Sequence, residues 1–193
     1  EILKRAGCKS TASDLAKKAI QVEQPVLDEL KGLSAGTALA AVLRPLGLVF
    51  YPSVGKDKAT VIHIVDVREA KEPWPIGWPI NRVPEKAIPK YREMLTVAFD
   101  DTPFIDVMDA FSGRLQTPFL FDHNSMVRNR FDAENETVTV PEERLSYARA
   151  INKVLHPRRL VHEVRMDEAG MPFIWIRSTG RAKPKSPDDD KPI

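Results

Sequence analysis

With 193 residues and 42% hydrophobic side chains, the chain is long enough for one domain or two small ones with ordinary cores. Lys and Arg number 29 against 27 Asp and Glu, a net charge of +2 with the signs mixed along the chain, which speaks against a dedicated nucleic-acid binder. One cysteine, Cys8, rules out an internal disulfide, and the longest uncharged stretch, between Lys31 and Arg44, is about half of a bilayer span.

The opening segment EILKRAGCKS lacks the apolar core of a signal peptide. EILKRAG reads as the last turns of a helix, CKSTA as a strand, SDLAKKA as a small helical turn and QPVLDEL as a strand. In LSAGTALAAVLRPLGLVF, Ser34 is an N-cap candidate, because its hydroxyl can accept from the free N–H groups of a first helical turn. Ala38, Leu39, Val42 and Leu43 then form an apolar stripe at helical spacing. Pro45 ends that helix and Gly47 suits its C-terminal stop. LVFYP and TVIHIVDV follow as strands joined by the turn SVGKDKA.

Next comes EAKEPWPIGWPINRVPEKAIPKY with Pro73, Pro75, Pro79, Pro84 and Pro89. Proline at that density argues against helix and central strand and for an extended, stiff connector. Its tryptophans, Trp74 and Trp78, are the binding candidates, since an exposed indole often marks an interface. The alternative use is to staple the linker onto its neighbours, and at least one ring is expected to pack that way.

Beyond the linker, MLTVAF reads as a strand, and DDTPFIDVMDAFSGRL as a helix entered at Asp101 or Thr102 with Phe104, Val107, Met108 and Phe111 on one face. PFLFD is a short buried strand, HNSMVRNRF a helical turn and ETVTV a strand. LSYARAINKVLHPRRLVH then restates residues 33–50 at an offset of 112. Across 31–50 and 143–162, eight of twenty positions are identical: Leu33, Ser34, Ala38, Val42, Leu43, Pro45, Leu48 and Val49. Ser146 is the matching N-cap, and Ala150, Ile151, Val154 and Leu155 form the matching stripe. LVHEVRM and PFIWIRS complete a second hairpin around DEAGM.

An internal duplication is the natural reading. The expected fold class is α+β: two copies of a small β-α-β-β-α-β-β domain, the first truncated at its N-terminus, joined by a Pro-rich linker. The expected bounds are 1–67 for the first copy, 68–92 for the linker, 93–178 for the second and 179–193 for a disordered tail. The first copy lacks the opening strand and most of the first helix, so an open sheet edge or bare apolar face is expected near AGCKSTA.

The signature Leu33, Ser34, Ala38, Leu39, Leu43, Gly47 and Leu48, followed by a hairpin, resembles the short N-terminal domain of secretins and TonB-dependent receptors. The second copy departs from it at Arg159, where that family commonly has glycine. The pair joined by EPWPIGWP also looks like repeat proteins of planctomycete-type bacteria. The resemblance implies a non-catalytic protein–protein interaction or structural module of a bacterial cell-envelope protein, located in the periplasm or envelope. Its partner would be another protein or a neighbouring domain of the same polypeptide, with no nucleic acid, no cofactor and no membrane span in this segment.

Two other function classes have residues to recommend them. FDHNS places Asp122 and His123 after a buried strand, where α/β enzymes often keep catalytic groups, so a hydrolase is one alternative. The plainer use of Asp122 is to cap the following turn beside a solvated His123, and substitution would then cost at most about 0.5 kcal/mol. An RNA-binding α+β module is the other alternative, with Arg158, Arg159 and Arg165 as phosphate contacts. The interleaved Glu163, Asp167 and Glu168 favour a solvated, mixed-charge strand instead. His156 and His162 lack the further convergent ligands of a zinc site, the acidic runs lack calcium-loop spacing, and KGLSAGTAL lacks the ending of a phosphate loop.

Overall fold

The computed structural model describes residues 2–5, 7–21, 26, 28–55, 58–81 and 83–180. Its first half runs α1 (Ile2–Arg5), β1 (Lys9–Ala12), α2 (Asp14–Ile20), α3 (Ala35–Leu43), β2 (Leu48–Val54) and β3 (Thr60–Asp66). The linker adds β4 (Trp78–Pro79) and α4 (Pro84–Ala87). The second half runs β5 (Met94–Pro103), α5 (Phe104–Leu115), β6 (Phe119–Phe121), α6 (His123–Arg128), β7 (Thr137–Ser146), α7 (Tyr147–Leu155), β8 (Leu160–Met166) and β9 (Pro172–Ser178). The class is α+β, built on three small sheets: β1-β3-β2, β4-β8-β9-β6 and the ribbon β5-β7.

β2 and β3 form an antiparallel hairpin with β1 parallel to β3, and β8 and β9 form another with β6 parallel to β9. Helices α3 and α7 end as the sequence requires. Pro45 and Pro157 each lie within a 3-10 turn that closes the helix, and Gly47 (φ 70°) and Arg159 (φ 55°) then reverse the chain in the left-handed region. Arg159 carries a side chain at a position that favours glycine. Its carbonyl accepts from the backbone N–H of Thr179 and from the hydroxyls of Ser178 and Thr179, so strand-end contacts hold the turn.

One core lies between α5, α7, the ribbon and the inner side of β8-β9, with Phe104, Phe111, Ile151, Leu155, Leu160, Ile174 and Ile176 at or near zero exposure. The other gathers Leu39, Ala40, Leu43, Leu48, Phe50, Ile62 and Ile64 of the first half with Ile76 of the linker and Leu120, Phe173 and Trp175 of the second. Helix α3 is thus packed between two sheets, its own and the outward face of β9-β6. That explains its composition. Thr37 to Ala41 and Leu43 are all buried, whereas α7 keeps Arg149 and Lys153 in water.

Several expectations need correction. The linker is not merely extended: Pro84 opens the short helix α4 and Pro89 a 3-10 turn, because proline is at home in a first helical turn, where no N–H is needed. Trp78–Pro79 pairs as an edge strand with Met166 and Arg165, the edge being where a sheet tolerates proline. The helix expected to open at Asp101 or Thr102 begins at Phe104, since β5 stays paired with β7 through Pro103. β7 likewise runs on to Ser146. Of QPVLDEL, Val26 and residues 28–30 are irregular, Asp28 being turned toward β6, and the remainder lies outside the described residues. Near AGCKSTA, β1 is an edge strand of its sheet, while the far side of α3 is covered by the second half. The expected tail lies outside the described residues from residue 181 onward. The Thr179 N–H donates to the Arg159 carbonyl and the Gly180 N–H to the Ser178 hydroxyl.

Candidate functional site

The linker tryptophans take different roles. The backbone N–H of Trp74 donates to the Phe50 carbonyl (2.7 Å), and its ring stacks on the Phe50 ring at 5.7 Å and 21°. Trp78 meets Trp74 edge-on at 5.5 Å and is 40% exposed. Trp74 is therefore half-buried at the seam between the halves, with its indole N–H unpartnered, while Trp78 offers an aromatic surface to solvent. Between them Ile76 is buried, and Gly77 sits at φ 59° where a Cβ would lie 2.4 Å from the Phe173 ring and 2.8 Å from the Met166 carbonyl. Only glycine lets the linker approach so closely.

The seam is also polar. Ser34 and Ser146 both occupy N-cap positions, and the Ser146 hydroxyl accepts from the Arg149 N–H as expected. Ser34 does something else: its N–H and hydroxyl both donate to Asp167 Oδ2 (2.8 and 2.7 Å). Glu168 accepts from the N–H groups of Gly36 and Thr37 and from the Thr37 hydroxyl. The tip of the β8-β9 hairpin thus supplies two carboxylates to the N-terminus of α3, where the free N–H groups and helix dipole favour negative charge. Burial pushes the Asp167 carboxyl up, but the Ser34 hydroxyl and N–H and other backbone donors outweigh it, holding it below the usual carboxylate range.

Asp122 and His123 belong to the same seam. Asp122 is 5% exposed and receives Arg44 through Nε (3.1 Å) and Nη2 (3.0 Å), while capping α6 at the Ser125 N–H. Burial raises its pKa, and the Arg44 guanidinium more than reverses this, leaving it below the ordinary value. The Arg44 carbonyl accepts from the Asn124 amide (2.8 Å), and its guanidinium lies over Trp175, with Arg165 as a second cation near the same ring. His123 Nε2 lies 3.1 Å from Asp28 Oδ1, which also accepts from the Phe121 N–H.

The expected cap is present, but the expected solvated His123 is not. Asp122 is buried and His123 is engaged across the seam, because the first half docks on this end of β6. Among the described residues, the hydrogen-bond partner of His123 is Asp28.

The other candidates disperse. His156 is exposed. His162 lies beside the core of α5, α7 and the ribbon, with Nε2 2.5 Å from Tyr91 Oη. Burial pushes its pKa down to about 4, with the nearby His156 adding to the effect. Burial also pushes the Tyr91 hydroxyl up to about 12, with Glu85 contributing. Arg158 donates to the Val154 carbonyl and pairs with Glu136, and Arg165 pairs with Glu163 and donates to the Ile76 carbonyl. Among the described residues no group of three or more His, Cys, Asp or Glu side chains is placed to hold a metal ion, and no helix is long and apolar enough to cross a membrane.

One surface was not singled out in the sequence. On the outward side of β1-β3-β2, Thr11, His63 and Tyr51 lie in one row across three strands. The Tyr51 and His63 rings stack at 5.0 Å and 19°. Thr11 Oγ1 is 2.9 Å from His63 Nδ1, and Ser53 Oγ 2.7 Å from Nε2. Val49 and Val65 pair on one side of this row, and Val61 lies on the other. The available signal was the alternation in LVFYPSV and TVIHIVD, whose second face carries valines rather than charges.

No protein-family model, curated protein or solved structure matches this chain.

Proposed function

We propose that this chain is a tandem pair of small α+β units of the secretin/TonB short N-terminal type, the first truncated, acting as a non-catalytic protein–protein interaction module in a bacterial envelope protein. The tandem reading is supported by element bounds. Helices 35–43 and 147–155, strands 48–54 and 160–166, and strands 60–66 and 172–178 each differ by 112 residues, the offset of the sequence repeat. In each unit a strand parallel to the hairpin completes the sheet. In the second unit a two-stranded ribbon packs with the helices. The first unit has no such ribbon among its described residues, and the second unit's sheet covers that side of α3.

The observation that carries the functional reading is the use made of the chemically suggestive residues. Asp122, His123, Asp28 and Arg44 are committed to holding the units together, while the outward face of β1-β3-β2 and the Trp78 ring are left to meet a partner. A module of this kind acts through sheet faces or by strand addition at sheet edges. The test is photo-crosslinking in cells, with a photoreactive residue at Tyr51 or Trp78 of the full-length protein, combined with cell fractionation. Discrete protein adducts in the envelope fraction are expected. A cytosolic protein without adducts at either position would refute the reading.

A further inference from the structure

On the outward face of β1-β3-β2, side chains from three strands form one line of hydrogen bonds. Ser53 Oγ lies 2.7 Å from His63 Nε2, and His63 Nδ1 lies 2.9 Å from Thr11 Oγ1. The register explains how they meet. Thr11 and Tyr51 flank His63 directly, and Ser53 is the next residue after Tyr51 on the same face, so its hydroxyl reaches the ring diagonally. The Tyr51 ring lies against the imidazole plane at 5.0 Å and 19°. Packing does not account for this line. At the matching positions of β8-β9, 112 residues on, Arg165 lies over the Trp175 ring at 5.3 Å, so such a hairpin forms without a hydroxyl–imidazole pair. Ser53 and His63 are half-buried and Thr11 is exposed, which leaves the line open to a reagent. A hydroxyl on one imidazole nitrogen, with the other nitrogen held by a third group, is the arrangement that activates a serine as a nucleophile.

We propose that Ser53 is an acyl-acceptor site, with His63 as its general base and Thr11 as a positioning residue, and that it takes an acyl group from a thioester or aryl ester. The site goes beyond the interaction-module reading and does not rest on it. A neutral imidazole with its proton on Nδ1 donates to Thr11 Oγ1 and accepts the Ser53 hydroxyl on Nε2. As Ser53 Oγ bonds to the acyl carbon, its proton passes to Nε2. The bond from that carbon to the thiolate or aryloxide then breaks, and the leaving group takes the proton from Nε2. The class of donor follows from the surroundings. The Gly55 N–H donates to the Ala59 carbonyl, and ladder alternation from that bond turns the Ser53 N–H inward to Val61, while Pro52 has no N–H. Neither residue offers a backbone donor to an oxyanion, so amides and unactivated esters are out of reach and a good leaving group is required. Val49, Val61, Val65 and the Tyr51 ring border the site, with Lys9 in the Ser53 row beyond Val61. Such a border suits an aliphatic or aryl acyl group better than a phosphoryl group, which calls for clustered cations.

The test is reaction of the full chain with p-nitrophenyl acetate, following nitrophenolate release by absorbance and locating the acetyl group by peptide mass mapping. Ser53 is expected to be acetylated at least about a hundredfold faster than Ser10, an exposed hydroxyl on β1, a gain that a general base alone supplies. Ser53→Ala should abolish acetylation at that position, and His63→Phe, which keeps a ring against Tyr51, should slow it by a similar factor. Thr11→Val should slow it with the urea midpoint unchanged, and Thr11→Ser should restore it. A wild-type chain in which Ser53 reacts no faster than Ser10 overturns the proposal without any variant. Acetyl found on His63, at a rate that Ser53→Ala leaves unchanged, overturns it as well. Either failure leaves the crosslinking expected of the interaction module untouched.

Discussion

Removing the Arg44 side chain tests whether the two halves of the chain are held together as the seam implies. Arg44 makes two hydrogen bonds to a carboxylate that is 5% exposed, and its guanidinium lies over Trp175. Charged hydrogen bonds contribute about 1.5–3 kcal/mol each when shielded. The Arg44 side chain is itself 43% exposed, so solvent screening cuts the coupling of the pair to about 1–2 kcal/mol. Arg44→Ala is expected to cost more, about 2–3 kcal/mol, because Asp122 stays buried without its partner and the cation leaves the indole face. For a chain of this size that is a fall in Tm of about 4–10 °C. Asp122→Asn should cost less, since asparagine is as good an N-cap as aspartate and keeps the contact with Ser125.

A double-mutant cycle, read by urea unfolding at pH 7 and repeated at lower pH, isolates the coupling. The folded Asp122 pKa lies below its unfolded value. The stabilisation is therefore fully present above the unfolded carboxylate range, about pH 4, and is lost as pH falls through the lower folded value. The gap between wild type and Asp122→Asn should close on acidification. A coupling below about 0.3 kcal/mol at pH 7, the level at which independent sites simply add, would refute the reasoning.

Gly77→Ala should destabilise by about 2–4 kcal/mol and loosen the linker, because the new Cβ meets Phe173 and the Met166 carbonyl at a left-handed φ. Thermal unfolding close to wild type would show that the linker can shift aside. In a Trp175→Phe background, acrylamide should quench Trp78 readily and Trp74 poorly, and equal access to both would contradict the stacking on Phe50. Below its unfolded pKa, about 6.5, His162 resists protonation in the folded state down to about 4, so stability should fall as pH drops through that window. His162→Phe combined with Tyr91→Phe should flatten that slope, as urea midpoints at pH 7 and 5 would show.

Local signals marked most elements of this chain. Ser34 and Ser146 announced helix starts, Pro45 and Pro157 helix ends, and the alternation around SVGKDKA and DEAGM the two hairpins, because these depend on backbone chemistry a few residues long. Even the left-handed stop at Arg159 could be inferred from its alignment with Gly47. The composition of α3 carried a longer-range hint, since a helix apolar on every side must be covered on every side.

What covers it was decided only by tertiary packing. Asp28, Arg44, Asp167 and Glu168 lie 78 to 133 positions from their partners, and no local pattern says which carboxylate will meet which cation. The same holds for Asp122 and His123. Adjacent in FDHNS they read as a catalytic pair or as a cap beside a solvated histidine, and they became bridges because α3 buries its far side on the sheet of the second half. Prolines told the linker what it could not be in its interior. Where Trp74 stacks, and that Gly77 must admit the Phe173 ring, depended on two cores meeting at a distance no sequence window spans.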